Sequence, residues 1–309
     1  MSKKFKNIII VLLIPIFVYL IFFAIQPERF GTIQGIYIMF KQSFIPSILS
    51  WGLIYILTLG LYDFSIGSIL VLASIIGADL GLKFGYFGLI FGCIVVAILL
   101  EGLNGIIFMT LKIPSLITTI GLLLIYETLG NLYKGGGGIV LSDKLHIFGR
   151  SPYNIILGII AFIISFILFN NTRFGIYVKS VGSSEMISKS VGINVTKIKI
   201  LGFLICGLFV GIASIITVSY GGIVMPQTGM KSLMRVFTPL MGCFFGIALK
   251  KQINIIIGIF IGEFTLTMIS IGLITMGIDI SFQQVVTGLF LIIIVSITAF
   301  NQRNIIIVK

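Results

Sequence analysis

Charged residues are scarce in this chain of 309 amino acids, where Asp, Glu, Lys and Arg together make up 10% of the sequence. A soluble domain carries about 25% charged residues, and 58% of this chain is hydrophobic, so the composition excludes a soluble globular fold. Apolar runs of about 18 residues or more recur along the chain, each long enough to cross a hydrocarbon core of about 30 Å. Because these runs are continuous rather than alternating, the sequence predicts an all-α polytopic membrane protein and not a β-barrel.

Residues that bind metals or attack substrates are also few. The three cysteines, Cys93, Cys206 and Cys243, lie inside apolar runs, and the single histidine, His146, has no neighbour at metal-ligand spacing. The four glycines of the run YKGGGG are not followed by the Lys-Ser/Thr of a phosphate-binding loop. The polar loops contain no nucleophile and base in a catalytic pattern. We therefore predict no metal site, no bound cofactor and no ATPase or other enzymatic activity in this chain.

Acidic residues number only 9 against 21 Lys and Arg, which gives a net charge of +12. The basic residues lie between the apolar runs rather than in one patch, so they indicate membrane topology and not a nucleic-acid partner. With the N- and C-termini in the cytoplasm, thirteen of the 21 basic residues lie inside and eight outside. We predict one transmembrane domain over residues 1–309 with about ten spans. The predicted spans are 8–25, 43–61, 65–82, 86–110, 114–133, 152–169, 199–220, 232–249, 253–276 and 282–300.

A polar segment at about 171–198, between the sixth and seventh spans, interrupts this pattern. Ser183 or Ser184 can cap a short helix there. Glu185 suits the positive end of its dipole and Lys189 the negative end, and Gly192 then ends the helix.

Ile187 and Val191 stand four residues apart in this predicted helix and form an apolar stripe that faces out of the loop. Thr196 can cap the span that follows. These features favour a docking element, and the alternative is an ordinary solvated connection that carries topology charges.

The letters GSSEMISKSVGINVTKIKI, residues 182–200, resemble the cytoplasmic signature of the membrane subunits of ribose-type ABC importers, a family shared with branched-chain amino-acid permeases. The residues in register are Gly182, Glu185, Gly192, Ile193, Asn194, Val195 and Lys199. Two further stretches are similar to motifs of the same family: GLYDFSIGSIL from residue 60 and LLEGLNGIIFMTLKIPSLITTIG from residue 99. Their matching residues are Gly60, Asp63, Ser65, Gly67 and Ser68, then Gly102, Asn104, Gly105, Ile113, Pro114, Ile117, Thr119 and Gly121.

The resemblance implies a permease subunit that imports a sugar or sugar-like polar solute through the plasma membrane. It implies a cytoplasmic ATPase that uses ATP and Mg²⁺, a second permease copy or paralogue, an extracytoplasmic solute-binding protein and surrounding membrane lipids. The residues expected to couple to the ATPase are Gly182, Ser184, Glu185, Ile187, Lys189, Val191, Gly192 and Ile193.

Three glutamates, Glu101, Glu127 and Glu263, interrupt apolar spans. A charge at the centre of a membrane helix costs about 2.5–3.5 kcal/mol, so such residues face the bundle interior or a wet cavity. They are candidates for the translocation path, and the alternative is a structural hydrogen bond between helices. Glu127 stands where the family often carries Arg, so ribose specificity does not carry over.

Other functions remain open from the residues alone. A branched-chain amino-acid ABC permease has similar hydropathy, and a proton-coupled secondary carrier could use the three glutamates. A membrane anchor or membrane enzyme is a third possibility. An ordered helix in the loop at 171–198 has no clear use in the secondary carrier, which favours the importer.

Overall fold

The computed structural model describes the backbone of residues 3–279 and of positions 282–283, 285–286, 288–289, 292–293 and 296, with side chains from residue 11 onward. The helices are α1 (Lys3–Ile25), α2 (Pro27–Phe30), α3 (Ile33–Thr58), α4 (Ile66–Leu111), α5 (Ser115–Leu132), α6 (Tyr153–Asn171), α7 (Arg173–Ser183), α8 (Glu185–Ser190), α9 (Val195–Gly221), α10 (Met234–Ala248) and α11 (Ile255–Thr275). Strands β1 (Ile139–Val140) and β2 (Ile223–Val224) pair antiparallel, and 3₁₀ turns cover Tyr133–Gly136, Asp143–Gly149 and Lys231–Leu233.

Five helices of the described part are long and apolar enough to cross a membrane: α4, α5 with the turn that follows it, α6, α9 and α11. Val11–Ile25 is a shorter apolar helix. The predicted class is therefore confirmed: the chain is an all-α, multi-pass protein of the plasma membrane. The tenth predicted span, 282–300, lies outside the continuously described residues, and the count of ten stays a prediction.

Helix α4 is a hairpin of two membrane helices. Gly85 at its centre has φ 65° and ψ −147°, a conformation that breaks the helix. Gly77 packs against Cys93, and Gly81 packs against Leu89, so the two halves run antiparallel. The third and fourth predicted spans therefore correspond to the two halves of α4.

Residues 48–237 form one compact unit. Its most extensive helix–helix contact joins α4 and α9. Gly207 and Gly211 of α9 lie against the backbone of Ile98 and Ile94, where a Cβ would be 2.7 Å from each Cα. Two membrane helices can approach this closely because glycine has no side chain that would hold their backbones apart.

The described residues within 1–47 and 238–296 form the second compact unit. Within its described part, Phe22, Phe30, Met39 and Met268 form a buried cluster where α1 packs against α11.

Candidate functional site

The short helix α8 forms where the sequence predicts it, and Ser184 rather than Ser183 is its cap. The Ser184 Oγ accepts a hydrogen bond from the Ile187 N–H at 3.4 Å. Glu185 lies in the first turn and Lys189 in the last turn, where both charges suit the helix dipole. The helix is therefore specified by its own six residues and their cap.

The chain leaves α8 through a tight turn at Gly192. Gly192 has φ 84°, a left-handed conformation that glycine adopts without steric cost. The Ile193 N–H donates to the Ser188 carbonyl at 3.0 Å. The Asn194 Oδ1 then accepts from the Lys197 N–H at 3.0 Å and caps α9. The predicted Thr196 cap is wrong, because α9 begins at Val195 and the predicted residue already lies inside the first turn.

One face of α8, together with its C-cap residue Val191, is apolar and exposed. Met186 is 80% exposed, Ile187 65% and Val191 68%. An open groove of about 500 Å³ adjoins this face, and its lining includes Val191 and Ile193 together with Tyr177 of α7. The predicted outward-facing stripe is confirmed, and it continues into a groove large enough to receive a partner's side chains.

Helix α7 supports α8 and was not predicted. The Thr172 Oγ1 caps α7 by accepting from the Gly175 N–H at 3.2 Å, and the hydroxyls of Ser180 and Ser188 are 3.0 Å apart. Val178 and Val181 are buried. The sequence signals for this helix are the capping threonine in the letters TRFG and the two valines three residues apart.

The position of Gly182 explains why a residue without a side chain occurs there. A Cβ on Gly182 would lie 1.7 Å from the Thr58 carbonyl oxygen, so the end of α7 touches the end of α3 backbone to backbone. The Lys179 ammonium fixes the other side of α7 by donating to the Phe169 carbonyl at 2.7 Å, and burial lowers the Lys179 pKa from its ordinary value.

An ion pair joins α8 to the first membrane turn of α9. The Lys199 ammonium donates to the Glu185 carboxylate, and both residues belong to the family signature. The Lys199 side chain is 9% exposed and its Nζ lies 5.8 Å from the centre of the Phe108 ring of α4. Residues 14 apart in the sequence thus connect α8 with α9 and α4.

The two other family motifs meet at residues 59–65, a non-helical segment between α3 and α4. The Tyr62 N–H donates to the Ser115 Oγ at 2.9 Å, and the Phe64 N–H donates to the Thr119 Oγ1 at 3.1 Å. Irregular backbone in a membrane protein needs such partners, because lipid offers none. Ser115 was missed, since its role depends on a partner 53 residues away; Pro114 precedes it as the N-cap residue of α5.

A buried polar cluster fixes the start of α4. The Asp63 carboxylate accepts from the Ser65 N–H at 2.7 Å and from its Oγ at 2.6 Å. The Asn104 Nδ2 donates to the Ser65 Oγ at 2.6 Å and contacts Glu101 Oε2 at 3.3 Å. The Tyr126 hydroxyl donates to Asn104 Oδ1 at 2.8 Å. The structure thus brings Asp63, Ser65, Asn104 and Glu101 together, and Tyr126 was missed.

Glu127 lies apart from this cluster, with its carboxylate engaged by three donors. It accepts from the Met230 N–H at 2.9 Å, the Ser232 N–H at 2.8 Å and the Ser232 Oγ at 2.6 Å. A Cβ on Gly67 would lie 2.1 Å from the Ser232 carbonyl oxygen, so Ser232 is fixed from two sides. This geometry is that of an anchor for the turn before α10, and a role in the translocation path stays a prediction.

The remaining predicted residues occupy separate places. Glu263 of α11 is buried, and a Cβ on Gly242 would lie 2.0 Å from its Oε1. Gly60 has φ 76° at the end of α3. Within the described residues, no group of three or more His, Cys, Asp or Glu side chains could hold a metal ion.

Comparison with known proteins adds a family to this geometry. The family model described as "Branched-chain amino acid transport system / permease component" matches residues 35–295. No solved structure matches the chain.

Relatives with curated names match most of the chain. The ribose import permease protein RbsC of Escherichia coli (strain K12) is 24% identical over 305 residues, which cover 94% of this chain and 93% of that protein. The fructose import permease protein FrcC of Rhizobium meliloti is 27% identical and covers 80% of this chain and 72% of its own length. The autoinducer 2 import system permease protein LsrC of Photorhabdus luminescens is 27% identical, with 87% and 83% covered.

Proposed function

Because this chain belongs to the branched-chain amino acid transport system / permease component family, we propose that it is the membrane-spanning subunit of an ABC importer for a sugar or sugar-like polar solute. The observation that carries the proposal is helix α8. It carries the family signature, it exposes three apolar side chains, and an ion pair ties it to α9. Such a surface has no clear use in a secondary carrier, which favours the importer.

In this proposal a separate cytoplasmic ATPase docks on α8 and binds the ATP and Mg²⁺, while this chain binds neither. Two contacts carry the ATPase movement into the membrane helices. One is the pair of Glu185 and Lys199, which leads to α9, and the other is Gly182 against Thr58, which leads to α3. Through these two contacts α8 acts as a lever between two global states, which is what switching requires.

The arrangement in the membrane follows from the same proposal. About ten spans place both termini and the segment 171–198 in the cytoplasm, and a second permease copy or paralogue completes the pore. A solute-binding protein delivers the solute from outside. The loop turn held by Glu127 then lies on the outer side.

The solute class comes from the relatives. Their names assign ribose, fructose and autoinducer 2 to them, and two of these three are sugars. The family description favours a second candidate, a branched-chain amino-acid permease. The match of the signature at residues 182–200 to ribose-type permeases favours the sugar.

The test is reconstitution of the full chain in liposomes with its candidate ATPase and solute-binding protein. Uptake of a panel of pentoses, hexoses and branched-chain amino acids is measured with and without internal ATP. We expect ATP-dependent uptake of a sugar that persists when a protonophore collapses the proton gradient.

Leucine or valine uptake in place of sugar would select the second candidate. Uptake by the chain alone, without any ATPase, would overturn the importer.

A further inference from the structure

A pocket of about 570 Å³ lies beside the non-helical segment, and the importer mechanism does not use it. Three pieces of the chain form its wall: the segment from Gly60 to Tyr62, the connection between α4 and α5, and Lys199 of α9. The pocket therefore lies where two spans end, at the level of a membrane–water interface.

The charge of this pocket is positive. Lys112 and Lys199 line it, and no Asp or Glu does. Lys199 is already paired with Glu185, whereas none of the ion pairs in the described part of the chain includes Lys112. Lys112 ends α4 in a left-handed conformation with φ 56°, and its side chain is exposed.

Apart from Tyr62 and Ser115, the rest of the wall is apolar, and it continues onto the outer surface of α5. Ile113 is 39% exposed and Leu116 41%, and both line the pocket. Ile117 continues this surface beyond the pocket and is 57% exposed. In a chain that crosses a bilayer, such residues face acyl chains, and the lysines lie at the height of the headgroups.

We propose that this pocket binds an anionic phospholipid. The phosphate lies between Lys112 and Lys199, and one acyl chain runs along Ile113 and Leu116. A neutral lipid has the same acyl chains but lacks the net negative charge, and free phosphate has the charge but lacks the apolar part. Basic pockets between membrane helices on the cytoplasmic side bind anionic headgroups in this way.

Lys199 connects this lipid site to α8. A lipid phosphate beside Lys199 attracts the same ammonium group that pairs with Glu185. An occupied pocket therefore weakens the ion pair that holds α8. Lipid composition then tunes how firmly α8 is held against α9.

The test is native mass spectrometry of the full chain released from nanodiscs of phosphatidylglycerol mixed with phosphatidylcholine. We expect phosphatidylglycerol to be retained selectively and Lys112→Gln to lower its retention about fivefold, the effect of one lysine near a membrane surface. Lys112→Arg keeps the charge and restores retention. Lys197→Gln removes an exposed lysine of the neighbouring groove and is the matched control that retains the lipid.

If Lys112→Gln and Lys197→Gln lowered lipid retention equally, the effect would come from general surface charge, and the proposed site would be overturned. Displacement of the lipid by millimolar inorganic phosphate would assign the pocket to a free anion. If Lys112→Gln instead weakened binding of the ATPase or dimerisation while lipid retention stayed the same, a protein would cover the pocket. Since lipid retention is measured without ATPase or solute, this test can fail while the proposed transport function stands.

Discussion

At the scale of single residues, Glu127 illustrates how a carboxylate can be accommodated in a membrane protein without a cation. Three donors from Met230 and Ser232 surround it, and hydrogen bonds to a charged group are worth about 1.5–3 kcal/mol each. Two backbone N–H groups and one hydroxyl of a turn thus satisfy the hydrogen-bonding capacity of the carboxylate.

Replacing Glu127 by Gln tests this role. The amide keeps one acceptor oxygen but turns an N–H₂ group toward a backbone N–H, so we expect a loss of about 1–3 kcal/mol in the free energy of unfolding. The measurement is thermal unfolding in detergent, with Thr128→Val as the control, because Thr128 is exposed and bonds only within its helix. Unchanged unfolding together with an altered solute preference would place Glu127 in the translocation path instead.

The side chain of Asn104 links the two family motifs that meet at residues 59–65. It donates a hydrogen bond to Ser65 and accepts one from Tyr126, and Asn104→Leu removes both. The Ser65 and Tyr126 hydroxyls lose their amide partner inside a fully buried cluster. Because Ser65 keeps Asp63 and Tyr126 keeps the Leu100 carbonyl as acceptors, neither hydroxyl is left without a partner. We expect about 0.5–1.5 kcal/mol of destabilisation for each hydrogen bond removed. Thr110→Val on the exposed end of the same helix is the control, and equal unfolding temperatures for the two variants would contradict the assignment.

At the scale of elements, α8 is a small helix with a single apolar face. Ile187→Asp places a charge in the centre of this face, and burying an Ile is worth about 1.5–3 kcal/mol. We expect ATPase affinity to fall at least about tenfold while membrane insertion stays normal, as measured by pull-down from detergent. Ser190→Asp adds the same charge to the same exposed helix and should bind normally; equal loss in both variants would mean that charge alone matters.

The contact of α7 with α3 can be tested by one methyl group. Gly182→Ala places a Cβ where the Thr58 carbonyl lies, so one helix end must move, at a cost of about 1–3 kcal/mol. We expect reduced stability and reduced ATP-driven uptake. Gly221→Ala, where the added Cβ meets nothing within 4 Å, is the control and should behave like the unchanged chain.

Local chemistry explains which elements the sequence could predict. Apolar runs predict the spans, and the cap, charges and glycine around Ser184 predict α8, because these signals lie within a few residues of each other. The partners of Phe64 and Glu127 lie 55 and 103–105 residues away, so no local pattern reveals them. Helix α7 is an intermediate case. Its Thr172 cap is a local signal, but its apolar residues indicate a buried face only once the neighbouring helices are in place.

At the scale of the whole molecule, the proposed orientation can be read by chemical labelling. Cys93, Cys206 and Cys243 are buried, so the unchanged chain should react little with a membrane-impermeant maleimide. We expect Lys189→Cys to react only from the cytoplasmic side and Lys144→Cys only from outside. The opposite pattern would invert the topology and end the assignment of α8 as a docking helix for a cytoplasmic ATPase.

The non-helical segment at 59–65 also constrains how the protein is made. The N–H groups of Tyr62 and Phe64 donate to hydroxyls that the ribosome adds 53 and 55 residues later. Until α5 has been synthesised, these two N–H groups lack their hydroxyl partners, and because lipid offers no substitute we expect them to stay in contact with water or with the insertion machinery. Insertion of this region is therefore a delayed, concerted event, and a nascent chain arrested before residue 115 should leave the segment open to protease attack.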